Sequence, residues 1–463
     1  MNYNEKAKRK IGVSFVFGAE RNEFMKEFVR YVTLSILGQL GFSCYIIADT
    51  FFIAKGLGAN GLTALNLAIP IYNFIFGTGL MFGIGGATKF SISKGMGHHE
   101  DGNLIYSNTI IMTVAMALVF MAAGLFGAQR LATLLGADEE TLQMTTTYLR
   151  WILIFSPAFM VNAVLQCFVR NDESPNLVTF AMLAGSFSNI ALDYIFIFVM
   201  NLGIFGAVFA TGFAPVISML VMLPHWFKKK NTFHFVKTWI QKKNASQIVS
   251  LGFPSLLSQV SGGVVMIIFN MLILGLEGNV GVAAYGVIAN ISIVVISLYA
   301  GLAQGMQPLI STYYGKDDRD GVRKVMNYGQ ITMVGISVLL YGILYIFAKE
   351  VTAAFNSEGN QMLQDIAEVG LKLYFTSNLF VGFNTVSATF FTSIEKALPA
   401  HILSLLRGFV LIIPLAFVMA AAWGMNGIWL CFTVAEGIPA LIGFVIYLKM
   451  LRNYVRININ KFR

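Results

Sequence analysis

Charge is what this sequence has least of. Of its 463 residues, 12% are Asp, Glu, Lys or Arg, about half the share found in an ordinary soluble domain. A soluble chain of this length would divide into about three domains with charged surfaces, and so little charge does not cover them. The scarcity also excludes a disordered chain, a collagen-like repeat and a nucleic-acid platform. Cysteine is scarce as well. Cys44, Cys167 and Cys431 all lie in apolar stretches, so a disulfide framework or zinc site is not expected, and all three read as small core residues. HExxH, P-loop and Cys/His-cluster motifs are absent, and His98 and His99 fall in a polar loop. An enzyme is therefore not indicated, no cofactor is expected, and without a nucleotide-binding domain ATP does not drive the chain directly.

What is there is apolar. Hydrophobic residues make up 56%, and the length fits about a dozen spans at roughly 20 residues each. Apolar segments fall near 28–54, 62–93, 104–126, 148–170, 177–200 and 204–226, then near 248–276, 281–312, 327–347, 369–394, 398–421 and 425–450. The expected fold is an all-α polytopic membrane protein of twelve transmembrane helices in two six-helix lobes around a central cleft. Residues 1–27 read as a basic N-terminal tail without a cleavable signal peptide, with Phe24 and Phe28 suited to the membrane interface. Residues 28–226 form the N-lobe, 227–247 a linker, 248–450 the C-lobe, and 451–463 a C-terminal tail. Trp226, Phe233, Phe235 and Trp239 stand among the linker's lysines, which predicts a helix lying in the headgroup layer.

The net charge of +9 follows from topology rather than from nucleic acid. With the N-terminus inside, the inner segments hold 24 of the 32 Lys and Arg residues and the outer segments five. That bias places both termini in the cytoplasm of a multi-pass plasma-membrane protein.

The halves repeat. A shift of 220 pairs Gly58 with Gly278, Gly61 with Gly281, Gly85 with Gly305, and Ser91 with Ser311; a shift of 221 pairs Gly203 with Gly424 and Gly206 with Gly427. Six spans per half is an even number, so the repeat is parallel, as in transporters whose two lobes rock about a cleft.

Charge inside a span is costly and usually faces the bundle interior. Four residues qualify: Asp49, Asp193, Arg407 and Glu436. Arg30, Lys89 and Glu277 lie near span ends and are expected to snorkel. At 1.5 Å per residue, Asp49, Asp193 and Thr211 each lie about 8–10 Å below the outer end of their spans. Asn189 shares the face of Asp193, one turn deeper. Two carboxylates, an amide and a hydroxyl suit a hard cation such as Na⁺, or a shared proton; the alternative is polar glue between helices. Arg407 and Glu436 both fall near mid-bilayer, as an ion pair or with Glu436 as a substrate contact. Most of the 40 Phe, 17 Tyr and 22 Met face lipid or core, and some can line the cleft to receive flat cations.

These features resemble a MATE transporter, the multidrug and toxic compound extrusion family, over nearly the whole chain. The first span reads Ala48-Asp49-Thr50-Phe51-Phe52-Ile53-Ala54-Lys55-Gly56-Leu57-Gly58, and span 5 reads Asn189-Ile190-Ala191-Leu192-Asp193-Tyr194, like the family's Asn-x-x-Leu-Asp-Pro segment. Span 7 opens Gly252-Phe253-Pro254-Ser255, and Arg407 precedes Ile413-Pro414-Leu415. The resemblance implies a multidrug antiporter that exports amphipathic organic cations in exchange for Na⁺ or H⁺ by alternating access. Its partners would be small cationic molecules and the lipid bilayer, with no nucleic acid, and it would act as a monomer. One branch of the family uses residues matching Asp49, Asn189, Asp193 and Thr211 as its cation site, which would also be the Na⁺ ligands here. Two features depart from the family. The stretch Val32-Thr33-Leu34-Ser35 lacks the proline common in span 1, so a bent-helix mechanism is not implied. The carboxylates that another branch places in spans 7 and 10 are missing: Gln259 and Ser261 stand in span 7, and span 10 has no acid before Glu395. The rival reading is a flippase for lipid-linked oligosaccharide or peptidoglycan precursors, which would need several cations in the cleft. A channel or receptor is a further class, marked by ion leakage without substrate.

Overall fold

A backbone in hydrocarbon has no water to bond to, so long apolar runs close their hydrogen bonds as helices. The computed structural model shows no strand among its described residues. It describes the backbone of residues 3–356 and 359–461 and the side chains of residues 23–356 and 359–450. The side chains of the basic tails at 1–22 and 451–463 lie outside the described residues.

Among the described residues seven helical segments are long and apolar enough to cross a membrane, or eight with the bent pair Leu142–Ile154 and Ser156–Asn171, which meet at 46°. Three of the long segments, Glu23–Gly95, Lys242–Gly315 and Ala397–Met450, are each interrupted by one non-helical glycine: Gly58, Gly278 and Gly424. Each interruption is the turn between two spans. With the path Gln361–Tyr374, Phe375–Ser377 and Asn378–Ser393, the described chain makes the twelve spans that the hydropathy pattern predicts. Gly58 (φ 68°, ψ −159°) and its repeat partner Gly278 (φ 60°, ψ −153°) occupy a backbone region essentially restricted to glycine. The sequence repeat is thus a structural repeat with the same turn at the same place.

Each lobe has its own apolar core, and the two cores interlock at the side of the molecule where span 1 begins, here called the tail side. Phe28, Tyr31 and Val32 of span 1 belong to the C-lobe core, while Ile248 of span 7 belongs to the N-lobe core. Phe28 is therefore buried in the C-lobe core rather than turned to the membrane interface, and Phe24 is half-buried against that core. The Phe24 ring packs at a tilt against Tyr313 at 5.6 Å, and the Phe28 ring at a tilt against Tyr328 at 5.6 Å. Spans 2 and 7 touch backbone to backbone: a Cβ on Gly252 would come within 1.7 Å of the Met81 carbonyl oxygen, and one on Gly85 within 1.9 Å of that of Ile248. Farther from the tail side the contact between these two spans passes from backbone to side chains. A Cβ on Gly77 would meet Gln259 at 3.0 Å, and one on Gly263 would meet Asn73 at 3.6 Å.

Pro254 sits inside span 7 and cannot donate to the carbonyl four residues back, that of Ser250. His401 Nε2 fills that vacancy from span 11 at 2.6 Å.

The linker departs from the expected interfacial helix. A short helix Pro224–Phe227 gives way to a non-helical strap up to residue 241. The reason is local competition for its N–H groups. His234 N–H donates to Asn103 Oδ1 (2.7 Å), Val236 N–H to Ser107 Oγ (2.8 Å), and Gln241 N–H to Asn108 Oδ1 (2.7 Å). Phe233 is fully buried among Phe90, Tyr106 and Phe168 at 5.6, 4.6 and 5.6 Å, whereas Trp239 is 92% exposed. The strap is anchored at Asp172, in the loop between spans 4 and 5. Asp172 receives the Thr232 N–H at 2.7 Å, the Thr232 hydroxyl, His225 Nε2 at 3.0 Å and Lys94 Nζ at 3.0 Å. Burial pushes the Asp172 carboxyl up, but the hydrogen bonds from His225 and Thr232 and the Lys94 charge outweigh it and hold the group at about 2.

Candidate functional site

The four residues grouped by depth come together. Asp49 lies in span 1, Asn189 and Asp193 in Pro175–Tyr194, and Thr211 in Gly203–Met222, and all four are buried. The Asp49 and Asp193 carboxyl groups meet within hydrogen-bonding reach of one another. With its amide nitrogen turned to Asp193, Asn189 donates to Oδ2 at 3.1 Å, and its carbonyl accepts the Thr211 backbone N–H at 3.2 Å. The Thr211 hydroxyl donates to the Ala207 carbonyl at 3.1 Å. Oδ1 of Asp49 and Oδ1 of Asp193 have no partner. Two oxygens of two acids in contact, both turned away from any donor, form an arrangement that a proton or a small cation completes.

Three further features surround this pair. Tyr45, one helical turn before Asp49, shares a hydroxyl contact of 3.0 Å with Tyr72. Tyr148 is buried close to Thr211. Pro215 has no N–H, so the Thr211 carbonyl loses its usual donor four residues on. A π-helical turn, Ile195–Val199, directly follows Asp193, and such turns cluster at functional positions. The i,i+4 spacings Tyr45–Asp49 and Thr211–Pro215 were available signals; the tyrosines Tyr72 and Tyr148 and the π turn had none.

A cavity of about 50 Å³ opens beside the site, walled in part by Phe42, Tyr45, Tyr72, Phe76, Phe159 and Thr211. Phe42 and Phe76 stack at 5.2 Å, so aromatic residues do line the N-lobe interior. Arg170 also lines it. Arg170 is buried, and its guanidinium donates to the Met182 sulfur at 3.8 Å.

The second pair is an ion pair. Arg407 Nε donates to Glu436 Oε1 at 2.9 Å, and Arg407 Nη1 reaches Thr385 Oγ1 at 3.3 Å. Asn384 Nδ2 donates to Glu436 Oε2 at 2.7 Å. Arg407 lies in a second π-helical turn, Leu406–Val410. Among the outlying charges, Arg30 reaches Asn176 Oδ1 at 3.2 Å, but Lys89 does not snorkel. It pairs with Glu395 at 2.6 Å across the lobe boundary. Cys167 and Cys431 are buried as expected, while Cys44 is exposed. Among the described residues no group of three or more His, Cys, Asp or Glu residues is arranged to hold a metal ion.

Residues 35–195 and 254–418 match the MatE family model, one segment in each lobe. The chain belongs to the MATE family. Its relatives include the multidrug export protein MepA of Staphylococcus saprophyticus, 26% identical over 429 residues, covering 92% of this chain and 94% of that one. MepA of a Staphylococcus aureus strain is 26% identical over 431 residues, with the same coverage. Among solved structures, a MATE protein in complex with MaL6 superposes with a TM-score of 0.87 at 22% identity, covering 93% of this chain and 97% of that one. An outward-facing multidrug resistance MATE transporter superposes with a TM-score of 0.86 at 21% identity, covering 93% and 96%. This MATE chain is thus a multi-pass membrane transporter with the two-lobe repeat of its family.

Proposed function

We propose that the protein is a secondary antiporter that exports amphipathic organic cations in exchange for Na⁺ or H⁺ by alternating access. The observation that carries this reading is the contact of Asp49 with Asp193 at a buried position, with one oxygen of each left unpartnered. Two carboxylates so placed repel one another strongly in low dielectric, and taking up one proton or one Na⁺ relieves that repulsion. Asn189 orients Asp193 and ties span 5 to span 6 through Thr211, so occupancy of the site acts on three spans of one lobe. Coupling follows if the occupied and empty sites favour different lobe arrangements. The names of the MepA relatives support drug export. The Lys and Arg distribution makes the tail side cytoplasmic, and the lobes are joined on that side, which corresponds to a cleft facing outward.

Arg407 is neutralised by Glu436, which counts against a flippase that must hold pyrophosphate there. One chain carries both lobes, the cleft and the ion site, in keeping with a working monomer. The test is ethidium efflux from proteoliposomes under separately imposed Na⁺ and pH gradients. Efflux driven by at least one gradient is the expected result, and no gradient dependence overturns the reading.

A further inference from the structure

On the tail side, outside the N-lobe ion site, a second cavity of about 220 Å³ is lined by Arg30, Glu173, Ser174, Asn176, Leu177, Pro224, His225, Lys228 and Lys230. Its charge is lopsided. Glu173 is engaged by Lys94 at 3.0 Å. Arg30 has a hydrogen bond to Asn176 only, and no carboxylate pairs with Arg30, Lys228 or Lys230 among the described residues. The 20-residue helix Pro175–Tyr194 begins at this cavity, and its N-cap Ser174 makes no side-chain cap, so first-turn N–H groups and the positive helix end face the same space. An independent feature is His225. Its side chain is fully buried and lines the cavity, its Nε2 is held by Asp172, and its Nδ1 has no partner.

We propose that this cavity binds the phosphate of an anionic phospholipid headgroup in the tail-side leaflet. Phosphate oxygens accept from Arg30, Lys228, Lys230 and the helix N-terminus, and the headgroup hydroxyl of a phosphatidylglycerol meets His225 Nδ1. The occupant is a lipid rather than a free anion because apolar surface continues from the rim: Val29 is 51% exposed and Phe227 79% exposed, where acyl chains would lie. The site joins the starts of spans 1 and 5 to the strap, so an occupied headgroup ties the N-lobe helices to the linker.

The test is lipid binding to the purified full chain, followed by native mass spectrometry and by thermal stabilisation in detergent. Phosphatidylglycerol should bind in preference to phosphatidylcholine. A lysine near an anionic surface strengthens binding about fivefold, so Lys228→Gln/Lys230→Gln should lose about 20-fold in phosphatidylglycerol binding. The control Lys242→Gln/Lys243→Gln, which removes the same charge from the first turn of span 7, should keep most of it. Arg30→Gln should weaken binding without abolishing the stabilisation by phosphatidylcholine. Inorganic phosphate at millimolar concentration should compete weakly; if it protects the protein as fully as phosphatidylglycerol, the lipid assignment fails. Equal loss in the control variant, or no preference between the two lipids in the wild-type protein, overturns the site. None of these readouts depends on transport.

Discussion

Asn171, the last residue of the helix Ser156–Asn171, donates its side-chain N–H to Gln307 of span 8 at 2.9 Å, and this buried contact spans the lobe boundary. Around it, Ser91 Oγ donates to Asn171 at 2.6 Å, Gln307 reaches Thr88 at 3.1 Å, and Ser311 Oγ donates to the Ser393 carbonyl at 3.3 Å. Ser91 and Ser311 are repeat partners, so each lobe contributes the same position to the closure. Gln307→Ala leaves Asn171 short of a partner at a cost of about 1–3 kcal/mol. It should shift the lobes toward opening on the tail side by about tenfold or more. Labelling of the buried native Cys167 by an impermeant maleimide added from the tail side measures this, and an unchanged rate contradicts the gate.

Gly252→Ala should act in the same direction by sterics. Its Cβ would come within 1.7 Å of the Met81 carbonyl oxygen, so spans 2 and 7 cannot keep their present approach. The variant should insert and remain folded, label faster at Cys167 and lose most efflux activity. Wild-type efflux from this variant would show that closure at Gly252 is not part of the cycle.

The linker yields a pH prediction. Asp172 is held at about 2 against an ordinary 3.8. A depressed acid stabilises the folded state above its unfolded value and loses that contribution as pH falls through its folded value. Docking of the strap should be constant above about pH 4 and fail only toward pH 2. Asp172→Asn, which removes the charge that Lys94 and His225 face, should release the strap already at neutral pH. Limited trypsin cleavage at Lys237 reports it, and equal resistance in wild type and variant contradicts the anchor.

Arg407 and Glu436 form a largely buried pair at 2.9 Å. Removing one partner of such a pair costs about 3–5 kcal/mol, while replacing both by apolar residues is often nearly neutral. Glu436→Leu alone should therefore lower the melting temperature clearly, and Arg407→Met/Glu436→Leu should recover most of it. Recovery of stability together with efflux marks a structural pair. Recovery of stability alone assigns one of the two to the substrate path.

The spans, the repeat and the grouping of Asp49, Asn189, Asp193 and Thr211 were legible in the sequence because each rests on a one-dimensional signal: hydropathy, a fixed offset, or depth at 1.5 Å per residue. Lys89 and Phe233 depart from expectation for one shared reason. Their surroundings are set by partners far along the chain, Glu395 for Lys89 and the Phe90–Tyr106–Phe168 rings for Phe233. The strap was expected to be a helix from its aromatic and basic composition. What decided its conformation was Asn103, Ser107 and Asn108 on span 3, whose side chains take its N–H groups.

In the proposed cycle Asp193, with Asp49, binds the ion that drives export. The most direct test is gradient-driven ethidium efflux by Asp193→Asn in proteoliposomes, with folding checked by an unchanged melting profile and ethidium binding measured in parallel. The variant should fold and still bind ethidium but show no acceleration of efflux under either a Na⁺ or a pH gradient. Undiminished gradient-driven efflux by that variant would contradict this role.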